Sequence, residues 1–209
     1  MACQSSPSPR SARFLSLHAT IVCVFLTSPT QAQKVYFANL NTLNRMNTDG
    51  TELETLITSP LSYPNGVAID VAAGKVYWAD YSTWSIRRAD LDGTGVETIV
   101  QTAPYAPGQI ALDLGAGKLY WCDGLGSIGR ANLDGGDVEI LLPFVRDGVT
   151  GIALDLVGAK IYGVINGTIA RWDMNGANQE TLVPFACAYH IALDVGAGMM
   201  YWTGCNSVG

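Results

Sequence analysis

An all-β chain of repeated, four-stranded antiparallel units is what this sequence predicts, and three observations carry the prediction. A tyrosine returns at a near-constant interval: Tyr36, Tyr77, Tyr120, Tyr162 and Tyr201 sit in "VYF", "VYW", "LYW", "IYG" and "MYW", spaced by 41, 43, 42 and 39 residues. A second anchor keeps step with it, as "GVAID", "QIALD", "GIALD" and "HIALD" end at Asp70, Asp113, Asp155 and Asp194. A third is a turn, "TDGTELETLI", "LDGTGVETIV", "LDGGDVEILL" and "MNGANQETLV", starting at Thr48, Leu91, Leu133 and Met174. Short strands repeating every ~40–45 residues are the signature of blades set radially around an axis, a β-propeller.

Taken in order, residues 1–33 stand apart from the repeats. Arg10 and Arg13 precede an apolar run from Phe14 to Leu26, and "TSPTQAQ" follows. That layout predicts a secretory signal peptide, because a bilayer span needs ~20 apolar residues. Cleavage near Ala32 or Gln33 would remove those two arginines and no acids. Ten basic residues then face 18 acidic ones, a net charge of −8. Nucleic-acid binding would need a basic footprint, which this balance excludes. No second long apolar run follows, so no membrane insertion is expected after cleavage.

Residues 34–209 form the repeat domain. In the unit over 66–100 the strands are "GVAID", "KVYWAD", "SIRRADL" and "VETIV", broken by "VAAG", "YSTW" and "DGTG". Those breaks carry the Gly and Asp that turns require. The first two strands are apolar almost without alternation, which predicts burial on both faces. By the tyrosine count, the chain enters its first blade at the second strand and ends after the second strand of the fifth. The expectation is an incomplete arc of about four and a half blades, a fragment of a closed ring.

The strings "YWAD" and "YWCD", with "IALD" before and "ANLDG" after, resemble the YWTD repeats of the low-density lipoprotein receptor class B family. The resemblance covers residues 34–209 and implies a six-bladed propeller used extracellularly as a binding and scaffolding module, with no catalysis and no cofactor. It makes Tyr77, Trp78, Asp80, Tyr120, Trp121, Asp123, Tyr201 and Trp202 structural motif positions. It further implies that Asp80 and Asp123 tie loops by hydrogen bonds to backbone. The pattern is broken at Asn39 in "YFAN", in "YGVI", and at Gly204 in "YWTG". Those blades are expected to be less tightly tied.

Several motifs reduce to structure. "GLGSIG" at 124–129 fits Gly-x-Gly-x-x-Gly, but a strand follows it, whereas a dinucleotide site needs a helix. His190 is the only histidine outside the leader, and no nucleophile elbow accompanies it. Asp92 and Asp134 lack the ladder of acids that a calcium loop supplies, so they read as turn residues and no metal site is expected. "NGT" at Asn166 is both a glycosylation sequon and an Asn-Gly hairpin turn.

The better pointer to function is the contrast between the two ends of each blade. The turns after the first and third strands hardly vary. The loops after the second and fourth differ in every copy, and varied loops on a fixed scaffold are where binding residues concentrate. They collect Tyr63, Tyr81, Trp84, Tyr105, Phe144, Arg146, Phe185, Tyr189 and His190, rich in the residue types that anchor interfaces. A protein or peptide ligand on that face is the expected partner. The alternative is a lactonase-like propeller hydrolase, which would need acids converging on a metal in the channel. Asp70, Asp113, Asp155 and Asp194 occur in every copy, which argues for turn chemistry instead. Export allows disulfides. Cys187 and Cys205 flank two adjacent antiparallel strands and are the expected pair, while Cys122, within a strand, is expected as a small buried thiol.

Overall fold

The computed structural model describes residues 21–23, 33–39, 41–58, 63–143 and 148–204, with backbone only at 21–23. Among the described residues there is no helix. Four sheets have four strands each and a fifth has two, every neighbouring pair antiparallel. The first blade is β1 (Ile21–Cys23), β2 (Lys34–Asn39), β3 (Thr42–Asn47) and β4 (Glu54–Ile57). The second is β5 (Pro64–Asp70), β6 (Lys75–Asp80), β7 (Ser85–Asp90) and β8 (Glu97–Gln101). The third is β9 (Pro107–Asp113), β10 (Lys118–Asp123), β11 (Ile128–Asn132) and β12 (Glu139–Leu142). The fourth is β13 (Val149–Asp155), β14 (Lys160–Ile165), β15 (Thr168–Asp173) and β16 (Glu180–Val183), and the half blade is β17 (Ala188–Asp194) with β18 (Met199–Gly204). The inner strands β5, β9, β13 and β17 pack successively against one another. This is an incomplete β-propeller.

One element departs from the sequence count, which left the inner place of the first blade empty. Ile21–Cys23 pairs antiparallel with β2 there, in the register Ile21↔Phe37 and Cys23↔Val35. The physical reason is the open edge of β2, whose unpaired N–H and C=O groups accept the nearest extended apolar segment upstream.

Burial on both faces explains the Tyr-Trp doublet. Successive side chains on a strand point to opposite faces. Tyr77 packs with Ile110, Leu119 and Trp121 of the following blade, while Trp78 packs with Tyr36, Leu43 and Ile57 of the preceding one. A blade with the doublet therefore contributes its tyrosine to one interface and its tryptophan to the other. The "YGVI" blade lacks both the tryptophan and the acid of the motif, and the place of the tryptophan is filled from a neighbouring strand. Trp172, on the neighbouring strand β15, is fully buried and covers the space that Gly163 leaves open, joining Tyr120 and Ile152 in the same layer. Tyr201 is 52% exposed, since among the described residues no blade follows to cover it.

The unvarying turns are locks between blades. Gly93 and Gly176 have φ of +88° and +82°, and a Cβ on them would lie 2.7 and 2.6 Å from the carbonyl oxygens of Leu56 and Leu141 on the preceding blade. Gly135 is set the same way against Ile99. Gly50, with no blade before it among the described residues, has nothing within 4 Å. An arginine completes each lock. The Nη1 groups of Arg45, Arg88 and Arg130 donate to the carbonyls of Leu91, Leu133 and Met174 on the next blade, at 2.9, 2.9 and 3.2 Å. The same guanidiniums pair with Glu54, Glu97 and Glu139 on their own outer strands. Arg88 and Arg130 also lie over the rings of Tyr77 and Tyr120.

Candidate functional site

The strand-end acids belong to the uniform face and are occupied there. Asp70, Asp113, Asp155 and Asp194 each accept a backbone N–H three residues on, from Ala73, Ala116, Gly158 and Ala197, at 2.8 to 3.0 Å. Asp92 and Asp134 do the same within their turns, accepting from Thr94 and Gly136 at 2.9 Å. The Thr94 hydroxyl and then its amide hold the Asp92 carboxyl below its ordinary pKa. These are turn residues in geometry as well as in sequence.

On the varied face, the motif acids sit beneath the loops. Asp123 is buried, and its Oδ1 accepts the N–H groups of Leu125 and Ser127 at 2.9 and 3.1 Å. Asp80 is fully buried, accepts the Thr83 N–H at 3.2 Å and lies 3.8 Å from the Arg87 guanidinium, which itself stands over the Trp78 ring. Each acid thus organises the hairpin loop that follows it.

Those loops hold the aromatics in unusual backbone. Tyr63, Trp84 and Phe185 have φ of 126°, 51° and 54°. Such values are rare for bulky residues and strained positions gather at functional surfaces. Tyr63 packs edge-on against Tyr81 with ring centroids 6.5 Å apart, and its carbonyl accepts the Tyr81 N–H at 2.9 Å. The Trp84 carbonyl accepts both the Thr102 N–H and the Gln101 side-chain amide. Trp84 and Tyr105 are exposed. Asn166, at φ +48° before Gly167 at +71°, forms the two-residue hairpin turn between the paired Ile165 and Thr168, and is exposed.

At the mouth of the axis a cavity of about 420 Å³ is lined by Asn65, Tyr81, Thr150, Tyr189, His190 and Thr203, with Gly108 and Gly124 among the backbone positions. The structure therefore brings together Tyr81 of the second blade with Tyr189 and His190 of the half blade. A second cavity of about 490 Å³, lined in part by Asn166 and Phe185, shares Tyr189 with it. Tyr63 supports Tyr81 from behind. Phe144, Arg146 and Cys205 lie outside the described residues.

The inner strands explain why the mouth has this shape. Gly66, Gln109, Gly151 and His190 occupy equivalent places on β5, β9, β13 and β17. A Cβ on Gly66 would lie 2.7 to 2.8 Å from backbone atoms of 108–110, and one on Gly151 would lie 3.0 to 3.2 Å from backbone of 189–191. Glycine at alternate blades lets the next inner strand close in. The Gln109 side-chain amide can then reach past Gly151 to His190, Nε2 to Nδ1 at 2.6 Å. Asn65, Thr150 and Thr203 went unnoticed in the sequence, although the first two occupy matching positions one residue before Gly66 and Gly151.

Cys122 is a free thiol, fully buried beneath this mouth, and burial pushes its pKa up to about 12. Cys187 is disulfide-bonded.

Residues 74–114 match the sequence profile described as low-density lipoprotein receptor repeat class B. A human low-density lipoprotein receptor-related protein 5-like protein is 44% identical over 41 residues, covering 20% of this chain and 16% of that protein. Drosophila melanogaster nidogen is 41% identical over 49 residues, covering 22% of this chain and 4% of nidogen. The chain thus aligns with under a fifth of the length of either relative. Among solved structures, the nidogen/laminin complex superposes with a TM-score of 0.74 at 22% identity, over 82% of this chain and 67% of that one. A Staphylococcus aureus virginiamycin B lyase gives 0.67 at 20% identity, over 88% and 68%. A Xanthomonas campestris gluconolactonase gives 0.68 at 18% identity, over 85% and 68%. At these identities the structural likenesses show the fold alone. The chain thus carries a low-density lipoprotein receptor class B repeat over residues 74–114, set in a β-propeller whose anchors recur in register from blade to blade.

Proposed function

We propose that this chain is a secreted, non-catalytic binding module that takes a protein or peptide ligand on its varied loop face. The observation that carries the reading is the mouth cavity, where exposed Tyr81 and Tyr189 converge with His190 on a rim whose described lining holds no carboxylate. Aromatic side chains offer large contact area at small entropic cost and dominate the energetics of protein interfaces. Nidogen, a relative, has been solved in a complex with laminin, and binding of a protein partner is carried over here as part of the proposal. A lactonase-like hydrolase would need channel acids, and the repeated strand-end acids are committed to turns on the other face. The contact residues assigned to the ligand are Tyr81, Tyr189 and His190, with Tyr63, Trp84 and Tyr105 beside them and Phe144 and Arg146 assigned from the sequence alone. Single alanine substitutions at Tyr81 and Tyr189 are expected to weaken a captured partner by at least about 2 kcal/mol each without lowering thermal stability. Full binding by both variants would overturn the face assignment.

Residues 1–33 act in this proposal as the export signal, and cleavage would take Ile21–Cys23 away from the inner place of the first blade. Among the described residues no helix is long and apolar enough to cross a membrane. Cys187 pairs with Cys205 in this reading, because β17 and β18 start their register at Ala188↔Gly204 and the next positions outward are 187 and 205. Peptide mapping without reductant checks both cysteine assignments. At pH 8, Cys122 should resist alkylation until the chain is denatured, since a thiol with its pKa pushed up to about 12 carries almost no thiolate there. Recovery of Cys187 linked to anything but Cys205 would refute the pairing.

A further inference from the structure

The fourth blade departs from the two before it on the varied face, and the departure gathers around one asparagine. Where Asp80 and Asp123 end the second strands of those blades, this one has Ile165. Four residues separate β6 from β7 and β10 from β11, whereas β14 and β15 are joined by Asn166 and Gly167 alone. That turn takes nothing from the asparagine side chain. Its shape is set in the backbone, at φ +48° and +71°, with the Asn166 N–H donating to the Gly148 carbonyl at 3.3 Å. Asp49, Asp92, Asp134 and Asn175, in turns on the other face, each accept a backbone N–H two residues on. The Asn166 side chain has no hydrogen-bond partner among the described residues and stands exposed. Beside it lies the cavity of about 490 Å³ that includes Thr150, Phe185 and Tyr189 in its lining. Phe185 is 93% exposed, the barest of the described large apolar side chains. Asn166 is also the one asparagine in the sequence with a Ser or Thr two places on.

We propose that Asn166 carries an N-linked oligosaccharide, added during export and lying over the Phe185 cavity. The proposal rests on the reading of residues 1–33 as an export signal. The acceptor is the sequon Asn166-Gly167-Thr168. Its side-chain nitrogen attacks the anomeric carbon of an oligosaccharide held on a lipid pyrophosphate. The new N–C bond replaces the C–O bond to the pyrophosphate, which leaves with its lipid, and the amide gives up one proton. Transfer comes before the hairpin closes, because in the fold Thr168 pairs with Ile165 and its hydroxyl accepts the Phe185 N–H at 3.4 Å. The closed turn then accommodates the sugar, since the side chain that bears it holds no other group in place. Thr150 and Tyr189 line both this cavity and the mouth. The oligosaccharide therefore borders the mouth beside Tyr189 and leaves Tyr81, on the second blade, as the side from which a ligand enters.

The test translates the full chain in a cell-free system with endoplasmic-reticulum microsomes and follows the protease-protected product. That product should gain one discrete step in mass, reversed by peptide N-glycosidase, which leaves an aspartate that mass spectrometry places at position 166. Asn166→Asp, which keeps a residue tolerant of left-handed backbone, should abolish the step. Transfer precedes folding, so the result does not depend on how well the variant folds. Import without the step, or a step that persists in Asn166→Asp, overturns the proposal and leaves the export reading standing. Failure to import overturns both. A second measurement reads the position of the sugar on the folded protein. Chymotrypsin should cut after the exposed Phe185 severalfold more slowly in the glycosylated protein than in the same protein once the sugar is removed. Equal rates would place the sugar away from the cavity and overturn its role at the mouth.

Discussion

Gly135→Ala is expected to destabilise the chain by about 3 kcal/mol or more, through left-handed strain plus a backbone clash. The same change at Gly50 should cost only about 1–2 kcal/mol, the ordinary penalty for a side chain in that conformation. The two glycines share a turn sequence and a φ, +90° and +84°. They differ in what faces them: the Ile99 carbonyl at Gly135, and open space at Gly50. Urea denaturation of the two variants side by side separates turn conformation from blade contact. Equal losses would show that the turn alone demands glycine and that the lock between blades contributes nothing.

Asp123→Ala should be the second large effect, about 2–4 kcal/mol, because it leaves two N–H groups without their acceptor, that of Ser127 in a buried place. The Leu125 and Ser127 amides, which donate to Oδ1 at 2.9 and 3.1 Å, should exchange hydrogen markedly faster in the variant. Asp123→Asn keeps an oxygen at that place and should recover most of the loss. The change should also reach the ligand face, since Gly124 contributes to the mouth cavity. Unchanged exchange at both amides would mean that the loop is held by its own backbone bonds, Asp123 N–H to Ser127 and Gly126 N–H to Asp123.

Much of the architecture was legible because a propeller repeats its physics. A tyrosine that recurs every ~40 residues beside an unbroken apolar strand needs two buried faces, and Tyr77 and Trp78 fill them. The acids of "IALD" could be placed as turn residues from their recurrence alone. The arginine locks escaped notice although Arg45, Arg88, Arg130 and Arg171 stand 43, 42 and 41 residues apart. On a strand with mixed polarity, an arginine reads as a solvated side chain until the next blade's carbonyl is in view. The Trp172 replacement was hidden for a different reason. Its partner Gly163 is nine residues away in sequence but adjacent across the β14–β15 pairing, so the compensation belongs to the sheet and not to the motif string. The mouth was half legible. His190 and Gln109 could be set at equivalent strand positions, but their contact, 81 residues apart, depends on how tightly the glycine strands let the blades close around the axis.

The direction of the locks has a mechanical consequence. Each blade grips forward, its arginine reaching its successor and its outer carbonyl receiving the successor's glycine turn. Load passes along the arc like tension through hooked links, and a link is only as secure as the one after it. The fourth blade has its Arg171 hook folded back on Tyr162, so it is held firmly from behind and slackly from ahead. Where each unit touches only its neighbours, order is lost from the ends inward. Among the described blades, the second and third are gripped on both sides and are expected to open last. Tyr189 and His190 are carried by the half blade, so the rim of the mouth shares its slack. The firmness with which that rim is presented depends on whatever closes the last link.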